Sequence, residues 1–286
     1  MRKILTIDVG GTFTKYAVMT GTQNFTITAK DKIPTLRKNH DDFITGLTNI
    51  FNACNDVEGI GISLPGIIDS DNGICLAAEL FNFNNGRNIA DELKNVCGVP
   101  VTIENDANCA ALAEIKSGSL IDVKDAFVLV FGSMVGGAFI RDRKIYRGAH
   151  HCAGEVSFTL TNNSEISASD FQKLCAKILN MPTDKVTGEM IFNLIDNNNG
   201  DMLKALDKYA NAVAMKIFNL QVLFDPERFA LGGGISERQI FIDAVNNQLD
   251  KICDKVPKYF PRPEIVACKY HNDANLFGAL YRYLNQ

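Results

Sequence analysis

Asp8-Val9-Gly10-Gly11-Thr12-Phe13-Thr14-Lys15 puts a carboxylate two residues ahead of a glycine pair, with hydroxyls and an ammonium behind it. The apolar run Ile4 to Ile7 predicts a short buried strand that delivers Asp8 at its carboxyl end, and Tyr16 to Met19 a return strand. Gly10 and Gly11 tolerate positive φ and carry no Cβ, so polyphosphate oxygens can approach the turn and accept from its backbone N–H groups. Thr12, Thr14 and Lys15 add donors, and Asp8 is placed to hold Mg2+ through water. The same residues also read as an ordinary hairpin whose glycines serve only the turn.

At 286 residues the chain is long enough for two cores, hence two lobes and a cleft. A 46% hydrophobic and 22% charged composition without low-complexity tracts predicts an ordered globular protein. With 29 basic and 33 acidic side chains the formal charge is −4, which gives no general attraction to nucleic acid or an anionic membrane. Any phosphate site must then be local. The start, Met1-Arg2-Lys3-Ile4, enters a strand without an apolar leader, and no stretch has membrane-spanning length, so a cytoplasmic location is expected. Eight cysteines, at 54, 75, 97, 109, 152, 175, 253 and 268, never form a CxxC pair. They read as small buried apolar side chains rather than zinc ligands or disulfides.

Outward from the hairpin, strand and helix alternate. Asp41 to Asn52 has apolar residues at helical spacing, and Gly59 to Leu64 returns as a strand ending in the turn Pro65-Gly66. Leu80 to Asn88 is rich in asparagine, whose amide donates and accepts at once as sugar hydroxyls require; a solvated loop is the other reading. A helix, Ile89 to Val96, and a strand, Val99 to Ile103, lead to Glu104-Asn105-Asp106-Ala107-Asn108, which opens an alanine-rich helix. Asp106 at that helix start is explained by capping alone. Yet open α/β sheets bind ligands outside the carboxyl ends of their strands, where Asp8, Pro65-Gly66 and Asn105-Asp106 all fall.

The second half repeats the opening: strand Ala126 to Phe131, glycine turn Gly132-Ser133-Met134-Val135-Gly136-Gly137, strand Ala138 to Arg141. A short strand, Lys144 to Arg147, precedes the loop Gly148 to Glu155. His150-His151-Cys152 in that loop lacks a companion ligand pair, so metal binding is not expected there, while Glu155 can accept from two sugar hydroxyls. Ser167 to Leu223 reads as helical packing in several pieces. Arg228 to Leu231 is a strand running into Gly232-Gly233-Gly234, with Ser236 and Glu237 opening the next helix; such glycines admit a flat base or ribose, or simply make a tight turn. A strand, Ile265 to Cys268, and a last helix containing Asn275 to Leu280 finish the chain.

With these stations in this order, the sequence resembles the ROK family of sugar kinases, in the actin-like ATPase superfamily, over nearly its whole length. The resemblance rests on Asp8-Val9-Gly10-Gly11-Thr12, Ser63-Leu64-Pro65-Gly66, Glu104-Asn105-Asp106-Ala107-Asn108, Gly132 to Gly137, Ala153-Gly154-Glu155, Gly232-Gly233-Gly234 and Gly278-Ala279. It implies an α/β, two-lobed actin-like ATPase (ribonuclease H-like) fold with a central cleft. Residues 1–118 would form the N-terminal lobe and 119–286 the C-terminal lobe, with the last helix packing back on the first. It further implies Asp106 as the catalytic base, Asn105 and Glu155 as ligands of sugar hydroxyls, and Gly66 and Asn82 lining the sugar pocket. Gly10, Gly11, Thr12, Lys15, Gly132 and Ser133 would embrace the ATP phosphates, Gly232 and Gly233 the nucleoside, and Asp8 Mg2+.

The sequence departs from the family pattern in three places. The histidine and cysteine-rich zinc motif after Ala153-Gly154-Glu155 is missing, with Phe158 at the expected histidine position, so no zinc is expected. Met134 stands where the second hairpin has glycine, and Ser133 where it has threonine. Family repressors carry a helix-turn-helix ahead of the hairpin, and none is expected here. The reading is phosphoryl transfer from ATP to a hexose hydroxyl, the 6-hydroxyl of glucose or N-acetylmannosamine, with a β-glucoside as the other acceptor. A non-catalytic sugar or nucleotide sensor is the rival, and a homodimer is the assembly the family implies.

Overall fold

The computed structural model describes residues 1–159 and 166–285. Chain contacts divide it into two units, Met1–Lys116 with Arg147–Ala153 and Asp273–Gln286, and Ser117–Tyr146 with Gly154–Asn272.

The first unit is built on a five-stranded sheet in the order β3-β2-β1-β4-β8, comprising β1 (Arg2–Val9), β2 (Phe13–Gly21), β3 (Phe25–Pro34), β4 (Gly59–Leu64) and β8 (Val101–Asn105). β1 pairs antiparallel with β2 and parallel with β4, which pairs parallel with β8. The central strands β1 and β4 are buried almost end to end, as an apolar strand covered on both faces must be. One face packs on α1 (His40–Asn52) and α2 (Ile89–Cys97), where Leu5, Ile7, Ile60 and Ile62 meet Phe43, Leu47 and Leu93. The other face holds Ile4, Ala17 and Met19 against Leu276, Leu280 and Tyr283 of α8 (Ala274–Leu284). A small antiparallel sheet, β5 (Ile67–Asp69), β6 (Ile74–Ala77) and β7 (Arg87–Asn88), leaves the end of β4, and α3 (Asp106–Ser117) follows β8 directly.

The second unit repeats this order. Its sheet runs β11-β10-β9-β12-β13, from β9 (Ala126–Phe131), β10 (Val135–Arg141), β11 (Lys144–Ile145), β12 (Arg228–Gly232) and β13 (Ile265–Ala267). β9 again pairs antiparallel with the strand after it and parallel with a later one, so the duplication read from the glycine turns extends to topology. Helices α4 (Ala168–Leu179), α5 (Gly188–Asp196), α6 (Gly200–Phe224) and α7 (Gln239–Cys253) cover a core that includes Phe127, Phe131, Phe171, Tyr209, Phe229 and Phe241. All eight cysteines are free thiols. Among the described residues no helix is long and apolar enough to cross a membrane.

Three local expectations are corrected. Gly136 and Gly137 belong to β10 rather than to the turn. A Cβ on Gly137 would lie 2.3 Å from the Gly154 carbonyl oxygen, so this glycine serves close packing beside the loop that carries Glu155. Neither Gly10 nor Gly11 has positive φ; a Cβ on Gly10 would fall 2.8 Å from the Phe13 carbonyl oxygen, so space decides there. Ser236 and Glu237 lie in a single 3-10 turn, and the helix proper starts at Gln239.

Candidate functional site

In the first unit the register of three parallel strands sets the site. Asp8 pairs with Ser63 across β1 and β4, and Ser63 with Glu104 across β4 and β8, so three carboxyl ends lie side by side. Asp8 is 8% exposed. Its Oδ1 accepts from Asn275 Nδ2 at 2.9 Å and from Ser63 Oγ at 3.2 Å, while Oδ2 faces Lys15 Nζ at 3.8 Å. Burial raises its pKa above the usual carboxylate range, and the Asn275 bond, the Lys15 charge and the Ser63 bond only partly offset that.

The first hairpin turns through Gly10 to Phe13, closed by Gly10 N–H on the Phe13 carbonyl at 3.0 Å. It is braced from the segment after β3. Thr35 N–H donates to the Thr12 carbonyl at 3.0 Å, Thr35 Oγ1 to the Gly10 carbonyl at 2.7 Å, and Thr14 and Thr35 hydroxyls lie 3.0 Å apart. The backbone N–H groups of Gly11 and Thr12 bond to nothing among the described residues, which leaves two donors at the tip.

Asp106 is the first residue of α3, half-buried, with its Oδ1 accepting the Ala107 N–H at 2.8 Å. Asn105 before it is the cap. Its Oδ1 accepts the Asn108 N–H at 3.0 Å, and its Nδ2 donates to the Gly66 carbonyl at 2.9 Å. One amide thus joins the Pro-Gly turn to the helix start and, among the described residues, keeps a free lone pair and hydrogen. Gly66, at φ +120°, can be no other residue without strain, since a Cβ would also strike the Ala77 carbonyl oxygen at 2.4 Å. The charges of Glu104, Asp8 and Asp106 all reach the buried thiol of Cys109, whose pKa is raised by burial first and then by them. Asn82 is exposed in a 3-10 turn, whereas Asn84, Asn85 and Asn88 of the same run bond to His40, to the Ala78 N–H and to the α2 N-terminus.

The second unit gathers the other glycines. Its hairpin turns through Gly132 to Met134, one residue shorter than the first, closed by Gly132 N–H on the Met134 carbonyl at 2.9 Å. Met134 stands exposed at the tip beside Ser133. Gly232 pairs with Val130 across β12 and β9, and Gly233 packs on the Phe131 carbonyl, so Gly132, Ser133, Gly232 and Gly233 share one sheet end. Glu155 leads into a 3-10 turn, Val156–Phe158, and burial raises its pKa. Phe158 is exposed, filling no polar role.

No group of three or more His, Cys, Asp or Glu able to hold a metal occurs among the described residues. Mg2+ in phosphoryl transfer takes one or two carboxylates together with phosphates and water, and Asp8, with one oxygen engaged and the other toward half-buried Lys15, fits that demand. Sequence reading assigned no role to Ser63, Asn275, Glu104 or Arg147, because their partners lie from 34 to 267 residues away.

Two sheets of the same strand order, each opening on a glycine hairpin, are those of the actin-like ATPase fold. The profile of the ROK family matches residues 4–285, and the chain belongs to that family. It is 30% identical to a beta-glucoside kinase of Klebsiella pneumoniae, over 98% of this chain and 96% of that one. It is 28% identical to an N-acetyl-D-glucosamine kinase of Vibrio parahaemolyticus, over 97% and 98%. The crystal structure of a ROK family protein from Streptococcus pneumoniae in complex with sucrose superposes with a TM-score of 0.87 at 30% identity, covering 99% of this chain and 98% of that one. This chain is accordingly a sugar kinase, with an alcohol as phosphoryl acceptor.

Proposed function

We propose that the chain transfers the γ-phosphoryl group of ATP to the primary hydroxyl of a hexose, and that it works in the cytoplasm. The observation that carries this reading is Asp106, held at the start of α3 by the Asn105 cap, on the strand end two places from Asp8. Asp106 would accept the hydroxyl proton as the acceptor oxygen attacks. Asn105, Gly66, Asn82 and Glu155 would orient the sugar, and the free N–H groups of Gly11 and Thr12 with Lys15 would take phosphate oxygens. Gly132, Ser133, Gly232 and Gly233 would hold the rest of the nucleotide. Asp8 would hold Mg2+ that arrives with ATP, and the ion would supply neutralising charge to the phosphates. Positioning and charge, rather than covalent chemistry, supply the rate in such transfers.

A β-glucoside acceptor is the second reading, favoured by the relative of that name at 30% identity. A coupled ADP assay over glucose, fructose, N-acetylmannosamine, N-acetylglucosamine and cellobiose decides between them. Sugar-dependent ADP release is expected from at least one. Binding of sugar without ADP release across the panel would make the chain a sensor instead.

A further inference from the structure

Glu104 stands two residues before Asp106 and has no exposed surface. A buried carboxylate is costly unless it is both paired and hydrogen-bonded, and this one is both. Oε1 accepts from Ser70 Oγ at 2.9 Å, from the Asn105 backbone N–H at 3.0 Å and from Asn108 Nδ2 at 3.1 Å. Oε2 pairs with Arg147 Nη2 at 2.5 Å. Two of these donors, Asn105 and Asn108, flank Asp106 in the chain, so one carboxylate pins the turn on both sides of the base.

Arg147 is held as firmly. Its Nε donates to Ser70 Oγ at 3.0 Å, and the Ser70 carbonyl accepts from Arg282 Nη2 of α8 at 2.6 Å. The carbonyl of Arg147 itself accepts the Ala153 N–H at 3.1 Å, closing the loop Arg147–Ala153, and Glu155 follows two residues later.

We propose that Glu104 and Arg147 are positioning residues for phosphoryl transfer: the Glu104 carboxylate fixes Asp106, and the Arg147 guanidinium couples that fixing to the order of the loop Arg147–Ala153. This rests on the reading of Asp106 as the base. The pair touches neither substrate; it acts through Asn105 and Asn108.

Hydrogen–deuterium exchange of the full chain, with steady-state kinetics, tests it on Glu104→Gln, Arg147→Met and the milder Arg147→Lys. Exchange is expected to rise together in residues 104–110 and 147–153 while β1 stays protected. kcat is expected to fall on the order of 10²-fold in Arg147→Met, as misplacement of a catalytic group does, with KM for ATP unchanged. Arg147→Lys, which keeps the cation but loses the fork, should fall between. The double variant Glu104→Gln/Arg147→Met should lose no more than the worse single one, since the two act as one unit. Unchanged protection of 104–110 and wild-type kcat in the folded variants would overturn the proposal. If Arg147→Met does not fold, Arg147→Lys decides by the same readouts. Absence of sugar-dependent ADP release from the wild-type protein would sink the activity reading alone, and the exchange arm would still judge the coupling.

Discussion

Asn275, in the first turn of the last helix, donates its side-chain amide to Oδ1 of Asp8, 267 residues earlier in the chain, at 2.9 Å. Ser63 serves the same oxygen from the adjacent strand. Both donors settle a carboxylate whose burial remains the dominant influence on it. Replacing it by the neutral isostere removes that burial cost while Asn Oδ1 still accepts from both. Asp8→Asn should therefore be more stable in nucleotide-free, metal-free buffer, by about 0.5–2 kcal/mol, the gain common to single stabilising substitutions, and melt higher. Its sugar-dependent ADP release should drop about 10–100-fold. Calorimetry beside the coupled assay checks both signs, and a lower melting temperature refutes the argument.

Asp106→Asn separates chemistry from binding. The substitution leaves the Asn105 cap and its bond to Gly66 in place, and Asn Oδ1 can still accept the Ala107 N–H. kcat should fall about 10² to 10⁴-fold, the contribution of a positioned base, with sugar KM little changed. Near-native turnover would remove Asp106 from the role of base.

Two strand ends were legible because each follows a short apolar run and breaks on Pro or Gly, at Leu64-Pro65 and Phe131-Gly132, whereas β1 runs on through Asp8 to Val9. β3 was not legible. Phe25–Pro34 is an edge strand exposed along most of its length, with Lys30, Asp31 and Lys32 in it, so it carries none of the apolar alternation that marks a half-buried strand. The three-stranded sheet escaped for a related reason, since its strands have two to four residues and draw their register from turns. Asn105 and Asp106 could be placed because local sequence determines a helix start. The grip of Glu104 on Ser70 and Arg147 joins residues 34 and 43 positions away, and no local pattern encodes it.

Glu155 gives a pH dependence. Burial raises its pKa, so as pH falls through that raised value the carboxylate neutralises and ceases to accept from sugar hydroxyls. Below it, sugar KM should rise about tenfold per pH unit, as one ionisation dictates. A raised carboxyl pKa in the folded state contributes stability at low pH that is lost as pH rises through it, so unfolding by this group cannot imitate the effect. In Glu155→Gln sugar KM should be high and flat across the same range. An acid limb persisting in that variant would assign it to another group.

Two glycine-to-alanine changes should act with opposite sign. At Gly278 of α8 a Cβ would lie 1.8 Å from the carbonyl oxygen of Cys109 in α3, a backbone atom that cannot rotate away. The helix must shift, and Gly278→Ala should destabilise by about 1–3 kcal/mol, as overpacking does. At Gly188, the first residue of α5, nothing lies within 4 Å of the same atom and φ is not positive. There the lost freedom of the unfolded chain dominates, and Gly188→Ala should stabilise by about 0.4–1 kcal/mol. Because α8 also carries Asn275 and Arg282, bonded to Asp8 and to the Ser70 carbonyl, Gly278→Ala should lower kcat as well, whereas Gly188→Ala should leave it unchanged. Denaturant midpoints and turnover measured on the two variants together test the pair: a stable Gly278→Ala would mean that α8 can yield without loss, and a destabilised Gly188→Ala would refute the argument from the unfolded chain.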